Sequence, residues 1–197
     1  MSNTNENKAT FFARLESRLA PSEVLKVRAA YYMAKFGHRA QTRTELNSQG
    51  KPLRYFEHPR RVAIILMDVA KCYDPELICT ALLHDVVEDT VDLDAAILEM
   101  MFGANVARRV RLLSKVPKEG YLERLHTADR ETVLVKACDK LDNFRSLSQT
   151  SPEFKMKQIN ETVSKYYDLF DEKLENNHPV VVEIKQIIDL SDLEVGF

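Results

Sequence analysis

The sequence predicts an all-α fold, a compact helical bundle. Apolar residues recur at three- and four-residue spacing through long segments, the period of a helix that buries one face. The 197 residues hold only 5 Gly and 7 Pro, which with those segments points to helices. No segment alternates apolar and polar residues for long enough to read as a strand.

Taken in order, residues 1–10 are polar, unlike a signal peptide, and read as a flexible tail. The expected organisation is a tail and lead-in over 1–20 and a single domain over 21–197, ending in helices. Ser22 is placed to cap a helix running to about His38, with Leu25, Ala29, Tyr32, Met33 and Phe36 as its apolar stripe. Asn47, Ser48, Gly50 and Pro52 mark residues 44–57 as a loop. Arg43, Lys51 and Arg54 make it basic, fit either for an anion or for plain solvation.

His58-Pro59 opens the second helix, whose buried face is Val62, Ile65, Leu66 and Val69. Asp74-Pro75-Glu76 starts a third. Asp92 is placed to cap the next, with Ile97 and Met101 inside and Gly103 as its stop. Val106, Val110 and Leu113 mark another helix, up to Pro117, with Arg108, Arg109 and Arg111 on a solvated face. A short helical turn is expected over 121–125. Asp129 caps a helix to about Leu147, and Ser151-Pro152-Glu153 starts a long one carrying Ile159, Val163, Tyr166 and Phe170. Asn176 to Pro179 break the chain before a last helix with Val181, Ile184, Ile187 and Ile188 inward.

Composition narrows the function classes. A net charge of -2 gives no reason to expect nucleic-acid or membrane partners. Cys72, Cys79 and Cys138 are odd in number and lack zinc-like spacing, so they read as buried thiols of a reducing cytosol. No apolar run is long enough to span a bilayer. A cytoplasmic location is expected, and a homo-oligomer stays open.

The chemistry concentrates in Ala81-Leu82-Leu83-His84-Asp85-Val86-Val87-Glu88-Asp89-Thr90. Helical offsets of three and four bring Glu88 near His84 and Asp85, and set Asp89 over Asp85. One imidazole and three carboxylates on an otherwise apolar stretch need compensation, and a divalent cation is the usual compensator. The plainer alternative is a solvated acidic helix end. His58, at a rigid helix start, suits a ligand or a simple cap. Lys136, Asp139, Asn143 and Ser146 form a polar stripe, either solvent-facing or lining a site with Asp139 as ligand and Asn143, Arg145 and Ser146 toward a substrate.

Together, His38-Arg39-Ala40-Gln41-Thr42-Arg43, His58-Pro59, the 81–90 run and Lys136-Ala137-Cys138-Asp139-Lys140-Leu141-Asp142-Asn143-Phe144-Arg145-Ser146-Leu147 resemble the HD-type hydrolase domain of the RelA/SpoT stringent-response enzymes, over about residues 24–170. The resemblance implies the HD-domain metal-dependent phosphohydrolase bundle and removal of the 3′-pyrophosphate from guanosine tetra- or pentaphosphate. The chain length is similar to that of the stand-alone small alarmone hydrolases. By analogy His58, His84, Asp85 and Asp139 are metal ligands for one Mn²⁺, with Fe²⁺, Co²⁺ and Zn²⁺ suited to the same donors. Glu88 and Asp89 correspond to the acidic pair that positions and deprotonates the attacking water. Arg43, Asn143 and Ser146 correspond to nucleotide contacts, and Lys51, Lys136, Lys140 and Arg145 add positive charge. The chain departs from the family pattern at Thr44, usually basic, in the longer connection to His58, and at Asp142, where the family has His. Those departures bear on the nucleotide rather than on the metal. They keep open a phosphatase acting on another nucleotide such as NADPH; a non-catalytic nucleotide sensor and an interaction-only helical domain are further alternatives.

Overall fold

The structure is a computed structural model that describes residues 7–90, 93–147 and 150–195, with side chains through 190. It begins with a helix inside the expected lead-in, overlapping the expected flexible tail at residues 8–10. Asn7 Oδ1 accepts from the backbone N–H groups of Ala9 and Thr10, and Thr10 Oγ1 accepts from the Asn7 N–H at 3.0 Å. This reciprocal cap starts α1 (Lys8–Glu16). Phe11, Phe12 and Leu15 are buried, and both rings pack on Tyr31. Phe11, Phe12 and Leu15 of α1 therefore belong to the core, because they share one face of a capped helix.

Helix α2 spans Pro21–Gly37. Its start is fixed by Glu23, which accepts the Ala20 N–H at 2.8 Å, and not by Ser22. The buried face is Val24, Val27, Ala30, Tyr31 and Ala34, while the expected stripe leaves Leu25 64% and Phe36 61% exposed. Two apolar faces share the same helical period here. Contact of Tyr31 with α1 and with Phe56 decides between them.

Most of the expected loop over 44–57 belongs to a short antiparallel hairpin, β1 (Thr42–Leu46) and β2 (Pro52–Arg54), pairing Thr42 with Arg54 and Leu46 with Pro52. Asn47 Oδ1 accepts from the N–H groups of Gln49 and Lys51, and Gly50 takes the positive φ of 73° that the turn requires. The strands are too short for a two-residue period to show in the sequence.

Helix α3 (Glu57–Asp68) follows, then α4 (Pro75–Leu83), capped by Asp74 as expected. Helix α4 ends before the His-Asp pair: His84 and Asp85 form a turn, and α5 (Val86–Asp89) is a separate short helix. Helices α6 (Ala95–Phe102) and α7 (Ala104–Leu113) come next. Asp94 caps α6, Leu98 and Phe102 are its buried residues, and Met101 is 47% exposed. The expected cap Asp92 lies outside the described residues. Gly103, at φ 90°, ends α6 as expected. Arg109 is not on a solvated face: its Nε lies 3.5 Å from Asp129.

After α8 (Tyr121–His126) comes α9 (Arg130–Arg145), capped by Asp129, then α10 (Pro152–Leu174) and α11 (Pro179–Val195). On α10 the expected inward Val163 is 42% exposed, whereas Ile159, Tyr166 and Phe170 are buried. Helices α3, α4, α7, α10 and α11 all pack on α9. It is consequently buried on every side from Thr132 to Asp142. Its polar stripe therefore faces the interior. Among the described residues the three cysteines are free, with Cys79 and Cys138 buried, and no helix is long and apolar enough to cross a membrane.

Candidate metal centre and nucleotide cleft

Three elements bring the site together. The start of α3 supplies His58, the turn after α4 supplies His84 and Asp85, and the middle of α9 supplies Asp139. His58 Nε2 lies 3.1 Å from Asp139 Oδ1 and 3.7 Å from Asp85 Oδ2. His84 Nε2 lies 3.1 Å from Asp85 Oδ2 and 3.8 Å from Asp139 Oδ1. One donor atom each from His58, His84 and Asp139 lies within 4.8 Å of the others. The turn between α4 and α5 makes this convergence, because it lets both neighbours, His84 and Asp85, aim at the same point.

A divalent cation fits these residues. His84 Nδ1 donates to the Ala81 carbonyl at 2.8 Å, which leaves Nε2 as the nitrogen with a lone pair. That Nε2 is buried without a hydrogen-bond partner among the described residues. A buried, unpartnered imidazole nitrogen facing two carboxylates is an unfavourable arrangement that a cation would resolve. Two imidazoles and two carboxylates suit a borderline divalent metal.

The charges are strongly interdependent. Burial would raise the Asp139 pKa, but Lys136, His58 and His84 hold it well below the usual carboxylate range. Burial likewise opposes ionisation of Asp85, and the His84 and His58 rings overcome it. Burial would lower the His58 pKa, yet hydrogen bonds to Asp139 and Asp142 push it up to about 9. Tyr55 donates to Asp85 Oδ2 at 2.7 Å; burial and the Asp85 charge push its phenol far above its ordinary value, so it stays a donor.

The cluster opens into a cleft of about 330 Å³, a size suited to a small-molecule ligand. Glu88 and Asp89 lie on its wall beside Asp85. Glu88 Oε2 accepts the Lys115 N–H at 2.9 Å, which fixes the carboxylate. The Asp89 backbone carbonyl accepts from Gln41 Nε2 at 2.7 Å. Burial and the neighbouring Asp85 raise the Asp89 pKa.

Arg43, Lys115, Lys136 and Lys140 bring positive charge to the same cleft, with Asn143 and Ser146. Lys136 Nζ is bound to Asp139 Oδ2 at 2.8 Å, and the surrounding negative charge, led by Asp139, outweighs burial and raises its pKa. Lys140 lies over the Tyr166 ring, 4.6 Å from its centroid. Burial and the nearby Lys136 lower its pKa to about 8.

Two expected substrate residues fall elsewhere. Lys51 is exposed at the hairpin turn, and Arg145 makes two hydrogen bonds, at 2.7 and 2.8 Å, to Glu183 of α11; neither lines the cleft. Arg145 follows helical spacing only approximately and falls on the side of α9 that meets α11. Sequence reasoning missed Tyr55, Glu45, Arg61, Gln41 and Lys115. Tyr55 carries no ligand signature, and Glu45 and Arg61 belong to no motif that points to a site. The Gln41 contact depends on long-range packing.

A model described as HD domain matches residues 30–132. The bifunctional (p)ppGpp synthase/hydrolase SpoT of Escherichia coli K12 is 30% identical over 168 residues, covering 79% of this chain and 23% of that protein. The chain thus spans about a quarter of the length of such long relatives. The Danio rerio guanosine-3′,5′-bis(diphosphate) 3′-pyrophosphohydrolase MESH1 is 40% identical over 123 residues, 59% of this chain and 66% of that one. A solved structure described as a metazoan ortholog of SpoT that hydrolyses ppGpp and plays a role in starvation responses superposes with a TM-score of 0.70 at 27% identity, covering 85% of this chain and 96% of that one.

Proposed function

The chain belongs to the HD-domain family, and on that premise we propose that it hydrolyses the 3′-pyrophosphate of guanosine tetra- or pentaphosphate, giving GDP or GTP and pyrophosphate. One observation carries this reading: the His58–His84–Asp85–Asp139 cluster and the Glu88–Asp89 pair share one cleft with Arg43, Lys115, Lys136 and Lys140. The names of the relatives support the same substrate.

In this proposal His58 Nε2, His84 Nε2 and the carboxylates of Asp85 and Asp139 hold one divalent cation, Mn²⁺ by family analogy. When bound, such a cation acidifies the attacking water and offsets negative charge on the phosphate oxygens. Lys136 and Asn143 each hold one Asp139 oxygen, and Tyr55 holds Asp85, so both carboxylates are oriented before substrate arrives. Glu88, fixed by the Lys115 N–H, and Asp89 position the water and accept its proton. Burial and the neighbouring Asp85 raise the pKa of Asp89, which favours proton acceptance by its carboxylate. The water oxygen forms the new bond to phosphorus, the bond from phosphorus to the 3′-oxygen breaks, and that oxygen gains a proton. Arg43, Lys140, Asn143 and Ser146 bind the nucleotide and its phosphates, and Lys115 adds charge.

The test presents guanosine tetraphosphate, NADPH and simple nucleotides to the purified protein with Mn²⁺. Pyrophosphate released from the tetraphosphate alone is the expected result. Orthophosphate released from NADPH instead would keep the centre and move the substrate. No turnover in metal-loaded protein would favour the sensor.

A further inference from the structure

We propose that Asp142 is a positioning residue that fixes the orientation of His58 and couples it to the nucleotide-facing Arg43. The inference rests on the assignment of His58 and Asp139 as metal ligands. Asp142 is buried at 2% exposure on α9, next to Asn143, at the position where this chain departs from the family pattern. Its Oδ2 accepts from His58 Nδ1 at 2.7 Å. A carboxylate on the far nitrogen of an imidazole fixes the tautomer, aims the other nitrogen at the metal and makes it more basic.

Asp142 is itself held. Arg61 donates from Nε to Oδ1 at 2.6 Å and from Nη2 to Oδ2 at 3.0 Å, a two-point grip that fixes the plane of the carboxylate. The same Nη2 lies 3.0 Å from Glu45 Oε1 on β1, and that oxygen accepts from Arg43 Nε at 2.6 Å. Arg43 Nη2 donates to Asn143 Oδ1 at 2.9 Å, and Asn143 Nδ2 donates to Asp139 Oδ1 at 2.8 Å. Asp139 Oδ1 returns to His58 Nε2 at 3.1 Å.

These contacts close a ring: His58, Asp142, Arg61, Glu45, Arg43, Asn143, Asp139 and back to His58. Its charges alternate in sign between Asp142 and Arg43. Buried ion pairs of this kind contribute little net stability, since desolvation offsets most of the attraction. Their geometric effect is larger, because each member has its position set by two others. The ring joins two ligands of the candidate centre to the arginine on the nucleotide wall. It also gives the hairpin a role: β1 reaches the metal side twice, through Glu45 to Arg61 and through Arg43 to Asn143. A change at Asp142 is thus felt at both ends, as weaker metal binding and weaker substrate binding.

The experiment titrates Mn²⁺ alone into the full chain, reading free Mn²⁺ by electron paramagnetic resonance, for wild type, Asp142→Asn, Glu45→Gln, the double variant and Asp139→Ala. Thermal melts in chelator report folding. Asp142→Asn is expected to raise the Mn²⁺ dissociation constant by about tenfold or more. Glu45→Gln is expected to raise it severalfold and to raise KM at saturating Mn²⁺, with the double variant less than the product of the two. Excess Mn²⁺ should restore kcat in Asp142→Asn while KM stays high, a split that a merely structural role would not produce. Folded Asp142→Asn with wild-type Mn²⁺ affinity and KM would overturn the proposal. Should Asp142→Asn fail to fold, Glu45→Gln decides by the same two constants. Wild-type Mn²⁺ affinity in Asp139→Ala would overturn the ligand assignment, and the positioning role with it.

Discussion

Asp139 Oδ1 stands 3.1 Å from His58 Nε2 while Asp139 Oδ2 is bound by Lys136 at 2.8 Å, so one carboxylate serves the candidate centre with one oxygen and a buried ammonium with the other. Asp139→Ala removes a ligand and strands Lys136 as an unpaired buried charge. Retention of Mn²⁺ and turnover should be lost together, with destabilisation of roughly 3–5 kcal/mol. Metal content after gel filtration and a denaturant melt check both effects.

Glu88 reaches the cleft from α5 and is fixed by the Lys115 N–H. Glu88→Gln keeps size and polarity but not basicity. The variant should hold Mn²⁺ as wild type does and lose about 10²–10⁴ in kcat. Full activity would remove Glu88 from the water-activating role.

Arg43 spans Glu45 and Asn143 at the cleft wall. Arg43→Ala should raise KM by roughly ten- to a hundredfold, the loss expected for a charge-assisted hydrogen bond. Steady-state kinetics at saturating Mn²⁺ measure it, and an unchanged KM would count against the contact.

In the metal-free centre burial would lower the His58 pKa, but its bonds to Asp139 and Asp142 push it up to about 9, which favours the doubly protonated ring below that pH. A ligating imidazole must be neutral, so metal and proton compete. Apparent Mn²⁺ affinity should rise with pH, by about tenfold per unit while pH stays below that pKa. Titrations between roughly pH 6 and 8 test the sign; affinity that falls with pH would contradict it.

Asp129 caps α9, accepting from the Thr132 N–H at 2.8 Å, and pairs with Arg108. Burial opposes its ionisation, but Thr132 and Arg108 bring its pKa down to about 2. Asp129→Ala should cost about 1 kcal/mol, a shift in Tm of roughly 2–4 °C. The folded-state pKa is depressed, so this contribution is present above the unfolded value near ~4 and is lost as pH falls toward 2. The gap between wild type and variant should therefore be full at neutral pH and close in acid.

Much of this was legible in the sequence where the physics is local. Asp74 and Asp129 announced their helices because caps act within one turn. His84 with Asp85, His58 and Asp139 each read singly as a possible ligand, but the motif resemblance joined them into one candidate set, since they come from distant segments. Facing direction was harder: α2 has two apolar sides, and contacts with α1 and Phe56 choose between them. The break after Leu83 was hidden because His84 keeps helical backbone angles, at φ -57° and ψ -30°. Asp142 looked like a departure that affects the nucleotide; its partners His58 and Arg61 become visible only when α3 lies on α9.

The measurement that tests the central claim most directly is pyrophosphate release from guanosine tetraphosphate by protein stripped with chelator and then titrated with Mn²⁺. The account predicts no release from stripped protein and recovery that levels off at one Mn²⁺ per chain. Undiminished release from protein shown to be free of metal would contradict it.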